Sequence, residues 1–106
     1  MSLPILFIQS NSPGEISNWV HPICVEANHQ KLKMQIHILL TNCPYATGNE
    51  AEIVKNFPLV SKVYSPRETR DLLFKPPYFR KKFPGAKLLF LGGDPFFAKC
   101  LAVKYR

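Results

Sequence analysis

The chain has 106 residues, 46% of them hydrophobic and 20% charged, which fits one globular domain with one core and argues against a disordered tail. No run approaches the roughly 18 apolar residues that span a bilayer, and MSLPILFIQS carries neither a basic segment nor a small-residue cleavage site, so no secretory leader is expected. The net charge of +7 is uneven: residues 1–61 set Lys31, Lys33 and Lys55 against Glu15, Glu26, Glu50 and Glu52, whereas residues 62–106 set eleven Lys and Arg against Glu68, Asp71 and Asp94. A basic second half favours phosphate-bearing partners over a neutral surface, with a merely solvated face as the plainer reading.

Pro4–Ser10 is a nearly continuous apolar run, the pattern of a strand buried on both faces. Asn11-Ser12-Pro13-Gly14 interrupts it as a tight loop. From Gly14 to about Leu32, Ile16, Trp19, Val20, Ile23, Cys24 and Ala27 recur at helical spacing, with Pro22 inside the stretch, so a kink or a restart is expected there. Met34–Leu40 reads as a second strand, Thr41–Gly48 as a loop, and Asn49–Phe57 as a short helix capped by Asn49. Leu59–Tyr64 is a third strand and Pro66–Phe74 a helix opened by its proline. Lys75–Gly85 holds three prolines and resists regular structure. Ala86–Leu91 reads as a fourth buried strand, turned by Gly92-Gly93-Asp94-Pro95 into a last helix, Phe96–Arg106. Strands alternating with helices imply one α/β domain over residues 1–106: a Rossmann-like, three-layer unit with a parallel sheet of about four strands.

Such sheets bind ligands beyond the carboxyl ends of their strands, and two loops leave those ends with chemistry to offer. Ser10, Asn11, Ser12, Gly14, Glu15 and Ser17 place hydroxyls, amides and a carboxylate at a helix N-terminus, a geometry that holds anions or sugar hydroxyls. Neither GxGxxG nor GxxxxGK[ST] is present. Glu15 suits a first helical turn for electrostatic reasons alone, so helix stabilisation and substrate binding stand about even. Gly92 and Gly93 after a buried strand allow close approach by a ligand, and Asp94 fits either a general base or the cap of the next helix. The first and fourth strands are the most apolar, so both are expected to be central.

His21, His29 and His37 lack metal-ligand spacing and are expected to be surface or half-buried, with no metal and no cofactor. Trp19 lies on the first helix near the loop and is expected in the core or in a helix contact ahead of stacking on a sugar. Cys24, Cys43 and Cys100 form no CxxC pair and are expected as buried or semi-buried thiols in a reducing compartment. Phe74, Tyr78, Phe79 and Phe83 interleave with Lys75, Arg80, Lys81 and Lys82, which suits an anionic membrane interface ahead of nucleic acid, unless the rings pack on the core.

The loop SNSPGEIS and the turn LGGDPFF, with the element order between them, resemble the N-terminal half of lipid-A-disaccharide synthase-like glycosyltransferases, enzymes of GT-B architecture. Gly14, Glu15 and Ser17 match a Gly-Glu-x-Ser-Gly-Asp motif, with Asn18 and Trp19 where Gly and Asp are expected. Gly92 and Asp94 match the first part of a second motif, and Pro95-Phe96-Phe97 lacks its second Asp. The resemblance implies an inverting transfer of a hexosamine-type sugar from a UDP-sugar to a lipid-linked or glycolipid acceptor. Asp94 would be the base, Gly14, Glu15 and Ser17 would shape the acceptor cleft, and the donor would sit on a second domain absent from this chain. The isolated chain is then expected to be inactive, and its place to be cytoplasmic, peripheral to the inner face of the membrane. A stand-alone Rossmann- or flavodoxin-like binding module and a basic membrane- or nucleic-acid-docking module remain as alternatives.

Overall fold

A computed structural model describes residues 3–41, 49–74 and 86–91, together with Lys99. Four strands, β1 (Ile5–Ser10), β2 (Gln35–Leu40), β3 (Val60–Tyr64) and β4 (Lys87–Phe90), form one all-parallel sheet in the order β3-β2-β1-β4. The register runs from Ile5 opposite Gln35 to Ser10 opposite Leu40, and from Leu6 opposite Lys87 to Gln9 opposite Phe90. The domain is α/β and Rossmann-like. Parallel strands bury both faces, which is why Ile8, Ile36 and Ile38 are wholly inaccessible to solvent. Each such side chain contributes about 1.5–3 kcal/mol by burial.

The two faces have different partners. On one, Ile8, Ile36, Ile38 and Leu40 pack against Ile16, Val20 and Cys24 of the long helical run and Val54 of α3 (Glu50–Val54). On the other, Phe7, Leu39 and Tyr64 pack with Leu72 of α4 (Pro66–Phe74). Between β2 and β3 the register slips after Ile36, so Ser61 is the extra residue of a bulge. That bulge lets Val60 and Val63 join one core while Tyr64 joins the other.

The first helical run is continuous but changes pitch. It comprises α1 (Pro13–Glu15), a π-helical turn (Ile16–Val20) and α2 (His21–His29). The His21 N–H donates to the Ile16 carbonyl, five residues back. The expected disturbance at Pro22 thus takes the form of a wider turn just before the proline, which relieves the clash between its ring and the carbonyl four residues earlier. The run ends in a Schellman motif: Leu32 N–H bonds to Ala27 C=O at 3.1 Å and Lys31 N–H to Asn28 C=O at 3.0 Å, with Lys31 at φ 57°.

Two expectations are corrected here. The fourth strand is not central: among the described residues β1 and β2 are the inner strands, and β4 pairs only with β1. With a strand on one side only, Lys87 and Phe90 are exposed and Leu88 and Leu89 are half-buried. Asn49 occupies the N-cap position of α3, but its side chain makes no capping hydrogen bond. The segments 42–48, 75–85 and 92–98 lie outside the described residues, as does the last helix apart from Lys99, which is helical and exposed.

Candidate functional site

All four strands end on the same edge. Thr41 N–H bonds to Ser10 C=O at 3.0 Å and Leu91 N–H to Gln9 C=O at 2.9 Å, so β2 and β4 leave the sheet on either side of Ser10. Chain order runs outward from β1 through β2 to β3 on one side and resumes with β4 on the other. The direction reverses between β1 and β4, the position at which open parallel sheets hold ligands. The Ser10–Glu15 segment leaves β1 at this point. Gly92, Gly93 and Asp94 follow Leu91 in the chain but lie outside the described residues.

Glu15 can be judged against an internal control. Ser12-Pro13-Gly14-Glu15 and Ser65-Pro66-Arg67-Glu68 share the pattern S-P-x-E, and each opens a helix just after a strand. At the second site the capping box closes: Glu68 N–H donates to Ser65 Oγ at 3.2 Å, and Ser65 N–H donates to Glu68 Oε1 at 3.1 Å. At the first, only half of it forms. Glu15 N–H donates to Ser12 Oγ at 3.2 Å, but the Glu15 carboxylate turns towards the sheet. Its Oε1 accepts from Ser10 Oγ at 2.8 Å and from Asn11 N–H at 3.2 Å. Helix stabilisation alone would be served by the closed box, so the redirected carboxylate has a further structural purpose: it is braced against the end of β1. Its Oε2 accepts no hydrogen bond among the described residues and is not sealed from solvent.

Beside this loop lies a pocket of about 170 Å³, with Asn11, Leu40, Thr41, Glu50, Ser65 and Pro66 among its walls. Drug-sized ligands occupy roughly 300–1,000 Å³, so this space by itself matches a single small ring or a headgroup. Glu50 is 7% exposed. Thr41 Oγ1 is buried with no hydrogen-bond partner among the described residues, a polar atom placed where a ligand group can satisfy it.

The remaining candidates fall as follows. Gly14 is exposed and helical, and a methyl group there would meet nothing within 4 Å. Ser17 is exposed, two residues beyond Glu15 and therefore turned away from it. Trp19 corrects its expectation: it is 60% exposed and belongs to neither core. Helical periodicity marks a stripe but not its width, and the π turn displaces position 19 from the buried side. His21 and His29 are exposed, but His37 is 7% exposed, edge-on to Phe7 at 5.3 Å. It sits on the inner strand β2, and burial, reinforced by the Lys62 charge, lowers its pKa from the ordinary 6.5. Cys24 is buried, and desolvation raises its thiol to about 11, which leaves it protonated and inert. Cys43 and Cys100 lie outside the described residues, as do Tyr78, Phe79, Arg80, Lys81 and Lys82, while Phe74 closes α4. Among the described residues no group of three His, Cys, Asp or Glu is placed to hold a metal, and no helix is long and apolar enough to cross a membrane.

Thr41, Glu50 and Ser65 were not singled out from the sequence. The repeated S-P-x-E spacing was the signal that could have brought Ser65 and Glu68 forward. Nothing comparable marks Thr41, which meets the site through the pairing of β2 with β1, or Glu50, which opens α3. Set against known protein families, curated proteins and solved structures, the chain matches none.

Proposed function

We propose that the chain is the acceptor-binding half of a lipid-A-disaccharide synthase-like glycosyltransferase, holding a lipid-linked or glycolipid sugar at the carboxyl edge of its sheet. The observation that carries this is the half-open capping box. A carboxylate braced by Ser10 and Asn11, with one oxygen presented to solvent at the reversal point, is a preorganised acceptor for ligand hydroxyls. Gly14 adds support. Glycine costs a helix roughly 0.5–1 kcal/mol relative to alanine, and the space beside Gly14 is open, so its presence is explained by a ligand that approaches the backbone.

In this reading Asp94 takes the proton from the acceptor hydroxyl as that oxygen attacks the anomeric carbon and the nucleoside diphosphate departs. The UDP-sugar is held by a second domain. The basic aromatic segment, including Phe74, Tyr78, Phe79, Arg80, Lys81 and Lys82, meets anionic lipid. The test is an NMR titration of the whole 106-residue chain with glucosamine 1-phosphate and, separately, with a UDP-sugar. Saturable amide shifts at Ser10, Asn11, Glu15 and Thr41 are expected with the first and not with the second. Absence of shifts at this edge would overturn the proposal. Gly14→Ala is expected to stabilise the fold while weakening the acceptor.

A further inference from the structure

We propose that Trp19 is the stacking platform for the acceptor sugar, a role that rests on the acceptor-site reading above and assigns it a specific aromatic wall. Two observations and one general tendency of helical side chains converge on it. The indole is 60% exposed and makes no hydrogen bond or ring contact among the described residues, so the fold gives it no internal task. It follows Glu15 by four residues, across the π-helical turn Ile16–Val20. At that separation two positions share a helix face to within about 40°, whether the turn is α or π. A long helical side chain also leans back over the turn that precedes it, here the turn that begins at Glu15.

A hexopyranose has a rim of hydroxyls and a face of C–H bonds. Glu15 Oε2 offers an anionic acceptor for the rim, and the indole offers a large rigid surface for the face, with little rotamer freedom to lose. The combination selects a pyranose over a simple anion, for which an indole would contribute nothing. It also gives a physical reason for an aromatic side chain to stand on a solvent-facing turn next to a polar loop, where burial cannot explain it.

Trp19 is the only tryptophan in the chain, so intrinsic fluorescence reports on this side chain alone. On titration with glucosamine 1-phosphate, its emission should move to shorter wavelength and become shielded from acrylamide, saturating together with the NMR shifts at Ser10 and Asn11. Trp19→Ala should weaken binding roughly tenfold, as followed by those shifts, and Trp19→Phe should restore most of it. Because the side chain is exposed, neither variant should alter folding. If the shifts saturate equally in wild type and Trp19→Ala while fluorescence stays constant, the platform is refuted and the acceptor site stands. If no shift appears at this edge in any variant, the acceptor reading fails and the platform with it. A fluorescence response to uridine 5′-monophosphate with none to glucosamine 1-phosphate would overturn the choice of a pyranose.

Discussion

Removing the Glu15 carboxylate separates a braced group from an ordinary helix-end charge. Ser10 is wholly buried, and its hydroxyl has Glu15 Oε1 as its acceptor at 2.8 Å. Glu15→Ala strands that donor and the Asn11 N–H, so the expected loss is about 1–3 kcal/mol, the cost of leaving a buried polar group unpaired. Ser10→Ala together with Glu15→Ala removes both partners, and the double variant should lose clearly less than the sum of the singles. Glu68 provides the comparison. Its box is exposed, so Glu68→Ala should cost about 0.3–1.5 kcal/mol. Glu15→Gln keeps an oxygen for Ser10 and Asn11 and should cost about 1 kcal/mol or less. Urea unfolding at unchanged m-value measures the five variants against wild type. Equal losses for Glu15→Ala and Glu68→Ala, with additive behaviour of the Ser10 and Glu15 changes, would refute the bracing argument.

Two further outcomes follow from the described geometry and one from the proposed function. Lys31 holds a left-handed backbone that costs a non-glycine residue about 1–2 kcal/mol, so Lys31→Gly should raise stability by about 1 kcal/mol and the melting temperature by about 4–8 °C. His37 has a native pKa below the 6.5 of the unfolded chain, so the unfolded state binds more protons; stability should be full above pH 6.5 and fall as the pH drops from there towards the lowered native value. Urea midpoints across that window, flattened by His37→Phe, check this. Co-sedimentation with anionic vesicles should fall sharply when Arg80, Lys81 and Lys82 are all replaced by Gln, because each cation near such a surface contributes about 1 kcal/mol.

Much of the fold is written in local pattern. The apolar runs of β1 and β2 and the alternation with helices give the parallel sheet, because strands buried on both faces tolerate few polar residues. The bounds of α4 coincide with the segment opened by Pro66. What local pattern does not carry is neighbourhood. Ala86–Leu91 looks as apolar as β1, yet whether a strand has one neighbour or two depends on the order of pairing. His37 has no hydrophobic signature, and only the packing of Phe7 and Tyr64 around it on one sheet face makes it a core residue. At the candidate site, Ser10, Asn11, Gly14 and Glu15 were legible because loop chemistry after a buried strand is local. Thr41 and Glu50 were not, since strand pairing brings Thr41 there and the placement of α3 brings Glu50. The contrast that bears on Glu15 is not local either: the same S-P-x-E spacing closes its box at Ser65 and Glu68 and leaves it half-formed at Ser12 and Glu15.

The most direct measurement is the affinity for glucosamine 1-phosphate of wild type, Glu15→Gln and Glu68→Gln, read from amide shifts at the carboxyl edge of the sheet. Glu15→Gln leaves the brace in place and removes the charge of the presented carboxylate, and a hydrogen bond to a charged group contributes about 1.5–3 kcal/mol. Binding should therefore weaken at least about tenfold in Glu15→Gln and stay at the wild-type level in Glu68→Gln. Equal affinity in all three proteins would contradict the assignment of Glu15 as the ligand-facing group of this domain.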